Sequence, residues 1–573
     1  MNMERSPLPP PGVEERTGIE DWGTFRTRLS EKSLLNSLFG IAYVLGLVLG
    51  RSIGLQSVRD IRFDDETIYL HHGIRMLLEG AVPADRSPLY QLWYWLQSLI
   101  VHDPVDLYYC NWSVLLFINL SVLWFLLLKI GVPRIQSVVL LALFSTLTLF
   151  DVWPYVTLLS MAGIGIAMRL TFSLRSWINT LATLSAIFGI LAFVRPELTT
   201  SFLLSLLTLV CVTWFENGTI ARKAGAFVIS VVPFLSLLVV FGSPFGGDKL
   251  LDAFGAHYAL NVVQTEALQV DPWNSHPEIW KRDFGDSGSV WEALRTNPKR
   301  VAWHVRANIR NLTSAGGILS PAIASPRLRT TLGLLVVAGV LLGGALGLRT
   351  MYARGARPFW TDHSPESHAL IATALAAVPS SVSMVLIYPR VHYLLAPCLG
   401  VAVFSAWGLS AVLAKAGLRG RDRWQGVAAA GLGCLVVLPG SSGREPWYLL
   451  RAASSPAPQH LESIATIRFL RSLPLSIARG ESIGVLEADY SRAVYAGWQF
   501  HRINPTQCRP FIECIRRERP QIIVHNLRLL KYYSTLNDDG YRTFVMRPET
   551  LGYKRIEIPG QPAQVFVRED IIG

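Results

Sequence analysis

The sequence is poor in charge. Asp, Glu, Lys and Arg make up 16% of its 573 residues, while 51% are hydrophobic. Soluble globular proteins carry about 25% charged residues. That depletion argues against an ordinary soluble chain and for several membrane spans. Cysteine is scarce too, with six residues scattered along the chain. Cys110, Cys211, Cys398 and Cys434 lie in or beside apolar segments and are expected simply to pack. Cys508 and Cys514 are close neighbours in a polar stretch, where a disulfide forms only if that stretch faces an oxidising compartment. The polar C-terminal part has no Gly-rich phosphate loop, so nucleotide binding has no support. Charge is nearly missing from the interiors of the apolar runs, against the habit of pumps and transporters. The formal net charge is +12. Many of the basic residues sit in short loops between apolar runs, where membrane topology explains them without a nucleic-acid partner.

What is present is a series of apolar runs. A bilayer core about 30 Å thick needs roughly 20 apolar residues per helix. Candidates are 34–50, 107–128, 135–150, 155–168, 177–194, 198–215, 224–242, 330–348, 369–387, 392–413 and 425–440. The expected fold is therefore a polytopic α-helical membrane protein with about eleven spans and a C-terminal extracytoplasmic α/β domain. The polar, Pro-rich stretch 1–33 is expected to be a disordered cytoplasmic tail. The run after it lacks a small-x-small cleavage pattern and is expected to stay as an anchor. The run 88–101 is apolar but too short to span. Its Trp93, Tyr94 and Trp95 suit the headgroup level, which predicts an interfacial or re-entrant helix.

Lys and Arg in short loops orient the chain. With the N-terminus in the cytoplasm, Lys129 and Arg134, Arg169 and Arg175, Arg222 and Lys223, Arg349 and Arg354, and Lys415 and Arg419 all fall inside. The region 34–440 then forms the membrane domain, with external loops 51–106 and 243–328, and 441–573 lies outside. The expected location is the cell inner (plasma) membrane. In 441–573, SIGVLEA and QIIVHN look like buried strands, FIECIRRER and LRLLKYYSTL like helices, and NDDG is a turn signal before YRTFVM. Alternation of strands and helices suggests a small α/β domain.

The stretch FDDETIYLHHGIRMLLEG holds three consecutive acids, Asp64, Asp65 and Glu66, just past the first span. It predicts a helix capped by Asp64 or Asp65 and stopped at Gly80, with Pro83 just beyond. A helix N-terminus favours negative charge, so Asp64 and Asp65 should stay ionised, as a general base requires. Adjacent carboxylates can also hold a divalent cation such as Mg2+ or Mn2+. An acidic cluster at the start of a surface helix is common, but further features single this one out. Arg195 and Glu197 sit in FVRPEL, and Arg390 and His392 in IYPRVHYLL, each at a very short external turn. Two arginines beside an external acidic cluster point to a held anion, and guanidinium suits phosphate. Outside a cell, a lipid-phosphate carrier is the natural activated donor. His72, and His257 and Tyr258 in FGAHYALN, are further candidates for substrate contact. Asp151, in FDVWP, lies at another external turn.

The same residues resemble a family. FDDETIYLHHGIRMLLEG, then SPLY and an aromatic helix, is similar to the first external loop of GT-C-type polytopic membrane glycosyltransferases. RPE and the PR-x-x-YLL-x-P pattern (Pro389, Arg390, Tyr393, Leu394, Leu395, Pro397) resemble the bacterial polyprenyl-phosphate-sugar branch, which includes arabinofuranosyltransferases. Here the acid pair is extended to Asp-Asp-Glu and followed by His71 and His72, which leaves open which acid acts and whether a metal takes part. The resemblance implies inverting transfer of a sugar from a polyprenyl-phosphate donor to a glycan, lipid or protein acceptor. Asp64 or Asp65 would be the base, and Arg390 and Arg195 would hold the donor phosphate. A phosphate leaving group needs cations on its oxygens rather than a strong acid. Other readings are a transporter or flippase of lipid-linked glycans, and a non-catalytic glycan-binding scaffold.

Overall fold

A computed structural model describes residues 22–313, 365–407 and 461–572, less 58, 64, 81–85, 147–154, 217–218, 245–248, 269, 396–397, 401, 405, 476–480, 489–491, 498, 506–507 and 536. Asp64, Asp151, and the predicted spans 330–348 and 425–440 lie outside the described residues. The chain is mostly helical. Its first helices are α1 (Trp22–Ser52), α2 (Asp65–Ile74), α3 (Met76–Glu79), α4 (Pro88–Ser98), α5 (Pro104–Lys129), α6 (Arg134–Thr146) and α7 (Val156–Thr171). There follow α8 (Trp177–Leu191), α9 (Leu198–Phe215), α10 (Ile220–Phe241), α11 (Lys249–Thr265), α12 (Pro272–Phe284), α13 (Val290–Thr296), α14 (Pro298–Thr313) and α15 (Pro365–Leu386).

Among the described residues, five helical segments are long and apolar enough to cross a membrane. They are Leu34–Ser57, Pro104–Lys129, Leu198–Phe215, Ile220–Phe241 and Ser367–Leu386. The expected count was about eleven. Helices α7 and α8 stand where spans were predicted, but have 16 and 15 residues, about 24 Å at 1.5 Å per residue. Helix α6 has 13 described residues. The N-terminal expectation also changes: α1 begins at Trp22, inside the stretch expected to be disordered. Once a helix is nucleated, each added residue costs little, and RTRLSEKSLL contains neither Gly nor Pro to stop it.

The main core runs through α1, α4, α5, α7 and α8, with Trp112, Trp124, Tyr90, Tyr94, Tyr108 and Tyr155 among its fully buried side chains. Helix α4 belongs to this core. Tyr94, expected at the headgroup level, is wholly buried, and Trp93 Nε1 donates to Asn111 Oδ1 at 2.7 Å. Helices α2 and α4 can approach closely because residue 73 is glycine. A Cβ there would stand 2.5 Å from Tyr94 Cβ and 2.9 Å from the Gln91 carbonyl oxygen. Helix α3 ends at Gly80, in a positive-φ conformation (81°) that glycine adopts without strain.

The C-terminal region holds a five-stranded sheet. Strands β1 (Ile483–Leu486), β2 (Phe500–Ile503), β3 (Ile522–His525), β4 (Tyr553–Glu557) and β5 (Gln564–Arg568) are ordered β2-β1-β3-β5-β4. β1 pairs parallel with β2 and β3; β5 pairs antiparallel with β3 and β4. β1 and β3 fall on the two predicted strands, and helices Phe511–Glu518 and Leu527–Thr535 on the two predicted helices. YRTFVM lies in a further helix, Asp539–Met546, whose N-cap Asp538 accepts from the Tyr541 N–H. Cys508 and Cys514 are joined in a disulfide, with Cα atoms 4.7 Å apart.

This region is seated on the loop that carries the acids. Asp60 caps helix α16 (Glu462–Ser472) by accepting from the Ser463 and Ile464 N–H groups at 2.9 and 3.0 Å. Arg471 pairs with Asp103 at 2.7 Å. Tyr495, on helix α17 (Arg492–Ala496), lies 3.2 Å from the Thr67 hydroxyl, and its ring meets Phe63 at 5.8 Å. The sheet region and the acidic stretch thus share one end of the helical bundle.

Candidate functional site

Successive residues on a helix point about 100° apart, so neighbouring acids at the start of α2 cannot share a direction. Asp65 is exposed; Glu66 is fully buried. Glu66 is enclosed by donors. Tyr90 and Tyr94 donate their hydroxyls to Oε1, each at 2.5 Å, and the Tyr155 N–H donates to Oε2 at 2.7 Å. Asn111 Nδ2 lies 2.8 and 2.9 Å from the two tyrosine oxygens. Burial pushes the Glu66 carboxyl up to about 7 despite these donors, and the Asp65 charge adds to the rise. The carboxyl ties α2 to α4 and α5 and to the start of α7. Grouped at first with Asp64 and Asp65 as a potential metal ligand, it instead faces inward, away from Asp65. Among the described residues no three His, Cys, Asp or Glu side chains are placed to hold a metal ion.

The exposed Asp65 acts by its charge on a different group of residues. Arg195, in the turn after α8, is buried and pairs with Glu197 through Nε at 2.6 Å and through Nη2. Its guanidinium lies over the ring of Tyr393 at 5.6 Å. Tyr393 belongs to a short 3-10 turn, Val391–Leu394, that begins just after Arg390. The charges of Glu197, Arg195, Arg390 and Asp65 all bear on Tyr393. Those of Arg195 and Arg390 bear on His392, which is buried beside it. Residues from separate parts of the sequence therefore gather near one turn: Arg195 with Glu197, Arg390 with His392, and His257 from α11 through Tyr388 and Trp273, with the Asp65 charge acting on Tyr393 from the first loop.

The turn is braced from behind. Helix α14 sets His304 and Asn308, both fully buried, against the end of α15. His304 Nε2 lies 3.2 and 3.0 Å from the carbonyl oxygens of Leu386 and Ile387, and Asn308 Nδ2 donates to those of Val385 and Ile387. Asn261 on α11 joins His304 at 3.0 Å and Asn308 at 2.8 Å. Helix C-termini leave carbonyls without intrahelical partners; here α14 supplies the donors and Asn261 of α11 holds those donors in place. Sequence reading missed this brace; buried polar residues recurring at i and i+4 in WHVRAN were the available signal.

The remaining candidates separate. Tyr258, next to His257, is fully buried on another face of α11 and donates to Asp283 Oδ2 at 2.6 Å. Asp283 in turn pairs with Arg282. Its hydroxyl thus has a structural partner among the loop helices. His72 is half-buried, with its ring 5.4 Å from that of His71. A shallow cleft of about 430 Å3 lies elsewhere, lined by Gln56, Asp106, Tyr109 and Arg468 among others.

The arrangement offers the Arg390 guanidinium and an Arg195–Glu197 ion pair at one end of a helical bundle, with the Asp65 carboxylate acting on the same turn. Such a set can hold an anion on the cations while the carboxylate takes a proton from a nearby hydroxyl. No family model matches the sequence, and no curated protein matches it.

Proposed function

We propose that the protein is a membrane glycosyltransferase of the GT-C type. It would move a sugar from a polyprenyl-phosphate donor to an extracytoplasmic glycan, lipid or protein acceptor. The observation that carries this reading is the gathering of Arg195, over the Tyr393 ring at 5.6 Å, and Arg390 at one turn on which the Asp65 charge also acts. In the transfer, Asp64 or Asp65 accepts the proton of the acceptor hydroxyl as its oxygen attacks the anomeric carbon. The bond from that carbon to the phosphate oxygen breaks, and configuration inverts. The electron pair goes to the departing polyprenyl phosphate, whose charge Arg390 and Arg195 neutralise, so no second acid is needed. Glu66 keeps α2 in place and does not touch substrate.

Two observations favour an extracytoplasmic site. The Cys508–Cys514 disulfide belongs to an oxidising compartment. The region that carries it packs on the acidic loop through Asp60 and Thr67. The topology is then multi-pass in the inner (plasma) membrane, with the N-terminus in the cytoplasm and the sheet region outside. The shorter helices α7 and α8 would cross the membrane inside the bundle, where neighbouring helices cover them.

The test is incubation of purified protein with a panel of polyprenyl-phosphate sugars, scoring release of polyprenyl phosphate. Turnover of one sugar, lost in Asp64→Ala or Asp65→Ala protein that still melts normally, supports the reading. Full activity in both single variants and in the double variant defeats it.

A further inference from the structure

His257 is 6% exposed, and its Nε2 has no hydrogen-bond partner among the described residues. Its other nitrogen, Nδ1, lies 2.5 Å from the Ala253 carbonyl oxygen. A carbonyl only accepts, so Nδ1 carries the ring proton. Burial, and then the charge of Arg390, lower the imidazole pKa to about 3. The ring is therefore neutral at physiological pH and holds a single proton. Nε2 presents a bare lone pair. A phosphate dianion has no proton to give it; a hydroxyl has.

The surroundings place this lone pair beside a cation. The His257 ring stacks on Tyr388 at 5.2 Å and meets the Trp273 ring edge-on at 5.3 Å. The Arg390 guanidinium lies over the same indole at 5.5 Å. One tryptophan is thus shared by a group that suits phosphate oxygens and a group that requires a donor. A buried acceptor left unpaired is costly, and native structures rarely keep one without a reason.

We propose that His257 Nε2 accepts a hydrogen bond from a hydroxyl of the molecule whose phosphate rests on Arg390, so that this corner selects a glycosyl phosphate over a bare lipid phosphate. The inference rests on the transferase reading and deepens it, assigning sugar recognition to α11. His257 is a specificity residue here, and proton abstraction stays with the acids of the first loop.

The test uses full-length protein in detergent. Affinities are measured for farnesyl phosphate, for farnesyl-phosphoryl arabinofuranose, mannose and glucose, and for soluble arabinofuranose 1-phosphate. Wild type should bind at least one of the three lipid-linked sugars about tenfold or more tightly than farnesyl phosphate. His257→Phe keeps a ring against Tyr388 but offers no acceptor; it should erase that margin and leave farnesyl phosphate binding unchanged. His257→Gln, whose side-chain carbonyl can accept, should restore part of the margin, and it decides the matter if the Phe variant does not fold. A margin seen with arabinofuranose 1-phosphate as well would show that the hydroxyl contact needs no lipid chain. The inference is overturned if wild type shows no margin, or if His257→Phe keeps it or weakens both kinds of lipid ligand alike. Failure of the parent reading looks different: Arg390→Ala would then bind farnesyl phosphate as well as wild type does, or wild type would bind none of the ligands.

Discussion

Asp65 and Glu66 are adjacent in the chain and end in two unlike settings. Around Glu66 every polar group is answered: two tyrosine hydroxyls, a backbone N–H and an asparagine close a cage deep between α2, α4 and α5. Around Asp65 and Arg390 the groups are charged and partly open, and beside Arg390 lies a buried histidine whose Nε2 has no partner among the described residues. Satisfied polar networks rigidify a fold. Unsatisfied ones, when buried near charge, mark places where something else is expected to bind. In the proposed transferase, the first setting holds the helix still so that the second meets its ligand in a fixed geometry.

The contrast makes its largest prediction for catalysis. Arg390→Ala should lower sugar transfer by about 100-fold or more, the scale for losing one group that stabilises leaving charge. Loss of the base, in Asp64→Ala or Asp65→Ala, should cost about 100- to 10,000-fold. Initial rates of polyprenyl phosphate release measure both, and melting temperature should stay near wild type. If the open cluster were structural instead, melting would fall along with the rate.

Glu66→Ala should behave in the opposite way. It leaves buried donors on Tyr90, Tyr94 and Tyr155 unanswered, at a cost of about 3 kcal/mol or more. Thermal melting of the purified protein should fall by several degrees, and activity should fall only as folded protein is lost. A variant that melts like wild type would mean that the cage does not hold α2.

The cage also predicts a pH dependence. The folded carboxyl of Glu66 titrates near 7, against 4.5 for an unperturbed glutamate. Between those values the unfolded chain has released this proton and the folded chain keeps it. Stability should therefore fall as pH rises from about 4.5 to 7 and change little from this group outside that window, by up to about 3 kcal/mol in all. Glu66→Gln should flatten that slope in melting curves taken from pH 4 to 8, while Asp65→Asn should leave most of it in place.

Smaller effects test how the sheet region is attached. Asp60→Ala removes the cap of α16 and should cost about 1 kcal/mol, read as faster proteolysis between the bundle and the sheet. Smallest of all, Cys508 and Cys514 should resist a membrane-impermeant maleimide in intact cells until a reductant is added. Prompt labelling without reductant would remove the disulfide as support for an external site.

Parts of this comparison were legible in advance. The start at the acids and the stop at Gly80, the strands at 483–486 and 522–525, and the basic pattern of the short loops all follow local rules of period, capping and composition; the one helix expected between acids and glycine is instead broken at Arg75 into α2 and α3. The residue types of Asp65, Arg195, Arg390 and His257 and their places in loops are visible in the sequence. Other features were not legible. Tyr94 looked like an interface anchor because aromatic runs suit headgroups; it is buried because Glu66 needs donors. Tyr258 looked equal to His257 because the two are neighbours, and a turn of about 100° sends one to Asp283 and the other toward Arg390. Predicted spans were judged by apolar run length, which cannot tell a lipid-crossing helix from a shorter one packed inside a bundle.

By itself the sequence determined an apolar helical chain with a polar C-terminal part, and the chemical types available at its loop ends, because hydropathy, helical period and side-chain chemistry are local properties. Only the tertiary structure decided which of two adjacent acids is enclosed and which is open. It also brought residues 195, 257 and 390 near one turn, because contacts between distant segments depend on how whole helices pack.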